Sequence, residues 1–281
     1  MRKALSLLVL FALLLGASGA LAEELVFADL RALAPEGTFL APGSAPEITD
    51  TTYRSENIAI TITKQRVHDS DVYIADIYVT SVEHLRRGFS NGVWDENSQP
   101  IGTIAQANNA ILGMTGDYSR LLSKGLVVGN GEVLRKSNNN VRDNCLIYPD
   151  GTMVTYKRGN KTVSELLAQP LWQSFLFGPS LLKSDGSPYE KFSSNIGAAN
   201  PRSVLGYYAP GHYCFVLVDG RSSENRGIKM TPLSAYMAEL GCQAAYNLDG
   251  GQSAILWFNG RAVNQPYNGG RPLTDIVYIG E

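Results

Sequence analysis

Two loops that could carry chemistry each begin with an aspartate and a glycine directly after an apolar run. Asp219-Gly220-Arg221 follows a run that ends at Val218, and Asp249-Gly250-Gly251 follows one that ends at Leu248. A single Asp-Gly pair is a common turn. Two such pairs would bring two carboxylates and a guanidinium to one crevice if the preceding strands run parallel, because open α/β sheets bind ligands at the carboxyl ends of their strands. The pattern therefore favours a functional crevice over two ordinary turns.

A third candidate segment is Asn200-Pro201-Arg202, which precedes a predicted strand. The proline restricts the backbone there, and a planar guanidinium can bind a phosphate through two parallel hydrogen bonds. An arginine beside a proline is more often a solvated surface residue. The segment therefore supports a phosphate site only together with the two Asp-Gly loops.

Other catalytic motifs are absent from the sequence. It contains neither a Gly-x-Ser-x-Gly nucleophile motif nor a Gly-Lys-Ser/Thr phosphate loop. Ser253 follows the glycine pair, but His68, His84 and His212 stand in segments that offer it no base. The histidines also suggest no metal site, so no cofactor is predicted, and the sequence leaves open whether a divalent cation takes part.

The three cysteines, Cys145, Cys214 and Cys242, fit no zinc spacing. An exported protein can form disulfides, but an odd number leaves at least one thiol over. Each cysteine stands in an apolar segment. We therefore expect buried small apolar side chains in preference to a disulfide.

The elements that must position the two Asp-Gly loops form a strand–helix–strand unit. Residues 213–218 and 244–248 are predicted strands, and residues 203–208 are predicted to pair with the first. Between them the apolar residues have helical spacing, with Thr231 as the expected N-cap, Pro232 at the first helical position and Gly241 after the end. The length is typical of a βαβ unit.

The preceding half of the chain predicts a series of hairpins. Residues 58–63 and 71–79 alternate as strands do, and glycine turns separate 126–128 from 132–134 and 145–148 from 153–156. We predict an α/β fold, with α+β as the alternative: a mixed sheet core with flanking helices in a single main domain over residues 57–281. Residues 23–56, rich in Pro, Ser and Thr, are predicted to be a loosely packed leader or linker.

The N-terminus is typical of a secretory signal peptide. Arg2 and Lys3 precede an apolar run over residues 4–17, and Ala20-Leu21-Ala22 fits a cleavage site. We predict a signal peptide over residues 1–22, favoured over an uncleaved anchor, and a secreted or cell-envelope protein. No further segment is long and apolar enough to cross a membrane.

The charge balance argues against a nucleic-acid or anionic membrane partner. Removing Arg2 and Lys3 from the 24 basic residues leaves 22 against 26 acidic ones, a formal charge of -4. An anionic substrate would therefore need local arginines. The sequence indicates no oligomeric state.

Taken in order, five segments resemble the phosphodiester glycosidase family: MTGDY (114–118), FGPSLL (177–182), NPRS (200–203), VDGRS (218–222) and YNLDGGQS (246–253). The resemblance extends over about residues 105–281. The chain has Thr115 and Gln252 where the family usually has Asn and Gly. These departures concern the substrate more than the class of reaction, and they motivate the alternative of a non-catalytic carbohydrate-binding or structural envelope protein.

The resemblance implies hydrolysis of the bond between a sugar C1 and a phosphodiester oxygen, with a glycosyl phosphodiester or phosphorylated glycan as partner, in envelope or exopolysaccharide metabolism. A phosphate leaves as a stable anion, so it needs positive charge nearby more than it needs a proton. The implied catalytic candidates are Asp117, Asp219 and Asp249, of which Asp249 is favoured as base or nucleophile. The implied substrate-binding residues are Arg202, Arg221, Asn200, Asn247, Gly250, Gly251 and Ser253.

Overall fold

The computed structural model describes residues 25–94, 97–137, 142–192 and 194–281. The predicted signal peptide over residues 1–22 lies outside the described residues. Within these ranges, no helix has the length and apolar character that a membrane crossing requires.

Strands, most of them short, are the main regular structure of the described chain. The first nine strands are β1 (Glu47–Ile48), β2 (Thr52–Arg54), β3 (Ile58–Val67), β4 (Ser70–Val79), β5 (Leu85–Phe89), β6 (Leu112–Thr115), β7 (Leu126–Gly129), β8 (Glu132–Lys136) and β9 (Asn144–Ile147). The remaining strands are β10 (Met153–Tyr156), β11 (Gln173–Phe175), β12 (Arg202–Ala209), β13 (His212–Val218), β14 (Ala244–Asn247), β15 (Leu256–Phe258), β16 (Arg261–Ala262) and β17 (Asp275–Ile279).

Within the described ranges, four α-helices connect these strands: α1 (Ile101–Ala107), α2 (Val163–Leu166), α3 (Ser194–Gly197) and α4 (Met230–Glu239). Short 3₁₀ turns are found at Arg31–Leu33, Val82–His84, Ser90–Gly92, Ser119–Leu121, Gly251–Ser253 and Tyr267–Gly269.

The largest sheet has seven strands in the order β1-β2-β3-β4-β13-β12-β14. Both β13 and β14 pair antiparallel with β12, which lies between them. They therefore run parallel to each other, and the loops that follow them leave from the same edge of the sheet. The two Asp-Gly loops are expected to share a crevice if the strands before them run parallel. Strands β13 and β14 meet this condition, although β12 lies between them.

A second sheet of five strands, in the order β16-β15-β6-β17-β5, packs against the first. Leu205, Phe215 and Leu217 of the large sheet share one core with Met114, Leu256 and Val277 of the small one. On the outer faces, α4 covers the large sheet and α1 covers the small one. The prediction of a sheet core with flanking helices is confirmed. The pairings between the described strands are all antiparallel, so the architecture is closer to the α+β alternative.

Helix α4 begins earlier than the sequence predicts. Its N-cap is Lys229, and the Thr231 hydroxyl donates to the carbonyl of Glu190 at 3.2 Å. Pro232 consequently sits at the third helical position, still within the first turn, where backbone N–H groups have no partner in the helix. The predicted end is confirmed, since Gly241 follows the C-cap with a φ of 85°.

The predicted hairpins are confirmed. Strands β3 and β4, β7 and β8, and β9 and β10 each form an antiparallel pair. All three cysteines are buried, as expected of small apolar side chains, and their thiols are free, with 3.8 Å between the sulfurs of Cys214 and Cys242.

The segment before residue 57 differs from the predicted loose leader. Its last part forms β1 and β2, which extend the seven-stranded sheet beyond β3. Leu30 and Tyr53 are buried, and Tyr53 belongs to the core between the two sheets. The Pro and Ser content of this segment describes its turns, whereas the buried Leu30 and Tyr53 anchor it to the rest of the fold.

Candidate active site

Asp249 lies where the two sheets meet. Strand β14 of the large sheet ends at Asn247, and two residues later the Asp249 N–H donates to the carbonyl of Gly116, which follows β6 of the small sheet, at 3.1 Å. One carboxylate oxygen of Asp249 accepts from the N–H of Gly250 at 2.9 Å. The Asp249 side chain is thereby fixed at the mouth of the crevice between the sheets.

Arg271 holds the other oxygen of that carboxylate. Its Nη2 lies 2.7 Å from Asp249 Oδ2, and its Nε donates to the hydroxyl of Ser253 at 2.5 Å. The Tyr118 ring packs against the same guanidinium, 5.4 Å from its central carbon. Three neighbours thus orient Arg271, and its side chain remains 40% exposed, so it can still contact a ligand.

A cavity of about 340 Å³ opens beside this ion pair. Its wall combines the turn after β6, the loop after β14 and the segment before β17: Ser98, Thr115, Gly116, Tyr118, Leu121, Asp249, Ser253, Arg271, Pro272, Leu273, Thr274 and Asp275. Residues with two carboxylates, one guanidinium and several hydroxyl groups therefore line one cavity. That combination suits a small polar ligand such as a sugar.

Asp117 does not reach this cavity, although its neighbours Gly116 and Tyr118 do. Its carboxylate is fully buried and accepts the N–H groups of Leu176 and Phe177 at 2.7–2.9 Å. Burial raises the pKa of Asp117 to about 7, against the opposing charge of Arg87. The sequence predicts Asp117 as a catalytic residue. In the structure its contacts are those of a residue that positions the loop after β11.

Asp219 is also directed away from the cavity. Its two oxygens accept from the Asn264 side chain at 2.7 Å and from the Gln265 N–H at 3.1 Å. Burial raises the pKa of Asp219, and these two hydrogen bonds oppose the shift. The loop after β13 is thus tied to residues 264–265 through this carboxylate.

The two predicted phosphate ligands differ in their surroundings. The buried Arg202 guanidinium donates to the backbone carbonyls of Ile196, Ala198 and Ile228. Burial, and then the charge of Arg221, lowers the pKa of Arg202 to about 10. These three carbonyls accept from Nε and Nη2, and Arg202 is not among the described residues that line the cavity.

Arg221 is exposed and is held in place from three sides. Its Nε and Nη2 donate to Asn200 Oδ1 at 3.1 and 2.9 Å, and the Tyr267 ring lies 5.4 Å from the guanidinium. Gly251 forms the third contact, since a Cβ there would lie 2.9 Å from Nη2. Arg221 also has a positive φ of 62°, a conformation that is uncommon for a non-glycine residue and worth a functional explanation.

The remaining predicted binding residues support the loop after β14. A Cβ on Gly250 would lie 2.6 Å from the carbonyl of Pro201, so this glycine allows the two loops to touch. The Asn247 side chain is buried and donates to the carbonyl of Gly178 at 2.8 Å. The structure therefore brings Asp249 and Ser253 together on the cavity wall and turns Asn247 inward. Arg221, Asn200 and Gly251 contact one another but are not part of that wall.

Sequence reasoning missed Arg271, Asp275 and Tyr118. Arg271 stands beside a proline, as Arg202 does, but it precedes Pro272 whereas Arg202 follows Pro201, and it lies outside the strand–helix–strand unit. Asp275 begins a buried strand, and nothing in the sequence distinguishes it from a strand-capping residue. Among the residues described, no cluster of three or more His, Cys, Asp or Glu side chains could hold a metal ion.

A known protein family matches more than half of this chain. The profile of a family described as phosphodiester glycosidase matches residues 102–280. Among curated proteins, the SPbeta prophage-derived uncharacterized protein YomE of Bacillus subtilis (strain 168) is 30% identical over 140 residues. That match covers 48% of this chain and only 21% of YomE.

Solved structures share the fold at low sequence identity. The catalytic domain of zebrafish N-acetylglucosamine-1-phosphodiester alpha-N-acetylglucosaminidase, auto-inhibited by its pro-peptide, has a TM-score of 0.64 at 17% identity, covering 80% of this chain and 83% of that domain. A hypothetical protein from Synechocystis has a TM-score of 0.61 at 13% identity, covering 85% and 64% of the two chains. A putative exported protein from Burkholderia pseudomallei K96243 has a TM-score of 0.51 at 13% identity, covering 75% and 74%.

Proposed function

The chain belongs to the phosphodiester glycosidase family, and from this membership we propose that it hydrolyses the bond between C1 of a sugar and an oxygen of a phosphodiester. One observation carries the proposal: the Asp249 carboxylate is fixed by Arg271 on the wall of a cavity of about 340 Å³. Ligand pockets typically measure about 300–1,000 Å³, so the cavity suits one sugar unit.

In the proposed reaction the C1–O bond breaks and its electron pair stays on the phosphate oxygen, while water supplies the hydroxyl that ends on C1 and its remaining proton passes to the solvent. Positive charge develops at C1 in the transition state of glycoside hydrolysis. Asp249 stabilises this charge and acts at C1, either by attacking it or by activating the water that does. The anomer first released distinguishes the two routes, because direct attack retains the configuration and water attack inverts it.

The leaving phosphate gains charge as the bond breaks and needs preorganised donors. Arg271 contacts the loop over residues 249–253 through Asp249 and Ser253, and Arg221 contacts it at Gly251. We assign the phosphate to these two guanidiniums. Arg202 is left out of this role because its Nε and Nη2 donate to backbone carbonyls and it is not part of the cavity wall.

The name of the zebrafish enzyme, together with the shared fold, supports N-acetylglucosamine as the sugar to test first. We also propose export to the cell envelope or beyond, on the signal-peptide pattern of residues 1–22. The substrate would then be an envelope or exopolysaccharide glycan that carries a sugar 1-phosphodiester.

The test is release of free sugar from synthetic sugar 1-phosphodiesters that differ in sugar and in aglycone. We expect turnover of at least one, with the anomer followed by NMR. No cofactor is part of the proposal, so a chelator should leave the rate unchanged. Tight binding of these compounds without turnover would instead support the carbohydrate-binding alternative, and neither binding nor turnover would support a structural protein.

A further inference from the structure

Asp275 is a second carboxylate on the wall of the cavity. Among the cavity-lining residues that the structure describes, Asp249 and Asp275 are the acidic ones. They come from different sheets, since Asp249 follows β14 and Asp275 begins β17. Asp275 lines the cavity and is otherwise almost completely enclosed, with only 4% of its surface exposed.

A buried arginine faces Asp275 from the side of the protein interior. Arg87 Nη2 lies 2.5 Å from Asp275 Oδ2, and neither side chain is more than 4% exposed. Arg87 also donates to the carbonyl of Ser174 and lies about 5 Å from the rings of Phe89 and Phe175. A buried ion pair of this kind is weak evidence for stability, because an apolar pair of similar volume is often as stable. Its place at a cavity wall therefore calls for an explanation by function.

Two further donors fix the orientation of the Asp275 carboxylate. The Asp117 N–H donates to Oδ2 and the Thr274 hydroxyl donates to Oδ1, both at 3.1 Å. Gly116 packs directly on the same group, since a Cβ there would lie 2.4 Å from Oδ2. The carboxylate is thus held rigidly, and a carboxylate that accepts about four hydrogen bonds retains capacity for one more donor.

These contacts give the two carboxylates different properties. The Asp249 side chain is 12% exposed and is paired with an arginine that is itself 40% exposed. Asp275 is anchored from within by Arg87 and cannot move toward C1 without giving up that ion pair. Asp249 is therefore suited to chemistry at C1, and Asp275 is suited to accept a hydrogen bond from a fixed direction.

We propose that Asp275 is a specificity-determining residue, which accepts a hydrogen bond from one hydroxyl of the sugar in the cavity. The inference rests on the proposed function in that it takes the cavity to be the sugar site. A site built to bind a substrate hydroxyl discriminates strongly against an analogue that lacks it, because its own polar group is then left without a partner. Asp275 would thus decide which sugars are accepted, while the aglycone contacts other residues.

The experiment is a cycle between enzyme variants and substrate analogues. The kcat/KM of the wild type is measured for the best sugar 1-phosphodiester and for its monodeoxy analogues. We expect one analogue to lose roughly 10- to 100-fold, the usual effect of a hydrogen bond to a charged group. With Asp275→Asn the same analogue should lose distinctly less, and with the combined Asp275→Ala and Arg87→Met substitutions it should lose less than about threefold.

The combined variant removes both charges at once and so avoids burying one of them alone. Asp76→Asn is the matched control, because Asp76 pairs with His212 on β13, and its side chain is 43% exposed. That variant should reproduce the wild-type losses. Equal losses for every analogue in wild type and Asp275 variants would overturn the proposal.

Two further measurements test the inference if the wild type shows no turnover or if the variants do not fold. If the wild type hydrolyses no substrate, the same cycle is run on calorimetric Kd values for N-acetylglucosamine 1-phosphate and its monodeoxy analogues, and absence of binding would overturn the inference as well. If the Asp275 variants do not fold, a structure of the wild type with N-acetylglucosamine 1-phosphate decides. A sugar hydroxyl within about 3.2 Å of an Asp275 oxygen is expected, and a sugar bound without that contact contradicts the proposal.

Discussion

Asp249 is the residue on which the proposed chemistry depends. Asp249→Asn preserves the shape and the acceptor for the Gly250 N–H but removes the negative charge that stabilises C1. We expect the sugar-release rate to fall roughly 100- to 10,000-fold with little change in the thermal midpoint. Asp50→Asn is the control, since Asp50 forms an exposed ion pair with Arg261. A near-native rate in Asp249→Asn would remove Asp249 from the mechanism.

Arg202 and Arg271 should respond in opposite ways to replacement by lysine. Arg202→Lys cannot reach the three carbonyls that the guanidinium holds, so we expect the free energy of unfolding in urea to fall by about 1.5–3 kcal/mol. Arg271→Lys should leave stability nearly unchanged but reduce kcat/KM, because an ammonium cannot bind Asp249 and Ser253 together. A raised KM with unchanged stability in Arg202→Lys would restore the sequence-based prediction of a phosphate ligand.

Asp117 should make stability depend on pH in an unusual direction. Burial raises the pKa of Asp117 from 3.8 to about 7, so the folded protein binds this proton more tightly than the unfolded chain does. The free energy of unfolding from this group is therefore greatest below about pH 4, falls as the pH rises to about 7, and is constant above. Urea unfolding of wild type and Asp117→Asn across this range measures it. Parallel curves for the two proteins would show that the pKa of Asp117 is not raised.

At the scale of elements, the contact between the loop after β14 and the segment before β12 positions Asp249. Gly250→Ala would place a Cβ 2.6 Å from the Pro201 carbonyl, so one of the two segments must shift. We expect a loss of about 1–3 kcal/mol in stability and a lower sugar-release rate, since the shift displaces the neighbouring carboxylate. Gly197→Ala is the matched control, because its Cβ would meet nothing within 4 Å. Equal behaviour of the two variants would refute the role of this contact.

Elements with local signals were predicted well. The hairpin between β7 and β8 turns at Asn130-Gly131, a pair whose positive φ angles favour a tight turn, and Gly241 ends α4 for a similar reason. The start of α4 was misplaced because Thr231, a good N-cap by type, bonds instead to Glu190, 41 residues away in sequence. A capping preference is a local property, and a tertiary hydrogen bond can override it.

At the scale of the whole molecule, the segment before residue 57 should be part of the folding unit. A chain that begins at residue 57 loses β2, the neighbour of β3, together with the buried Leu30 and Tyr53. We expect it to aggregate through the exposed strand edge, whereas a chain that begins at Leu25 stays a soluble, cooperatively folding protein. Size-exclusion chromatography and thermal unfolding compare the two. Full stability of residues 57–281 alone would support the leader that the sequence suggests.

The sequence by itself determined the hairpin turns, the Asp-Gly loops and the family, because these depend on turn chemistry, apolar periodicity and the order of short motifs. Only the tertiary structure decided which side chains share the cavity. Asp249 meets Arg271 and lies with Asp275 on one wall, whereas Asp117 and Asp219 turn toward backbone N–H groups and an amide in the interior. The direction of a side chain at a strand end depends on which distant segment packs there, and that contact is not encoded in the local pattern.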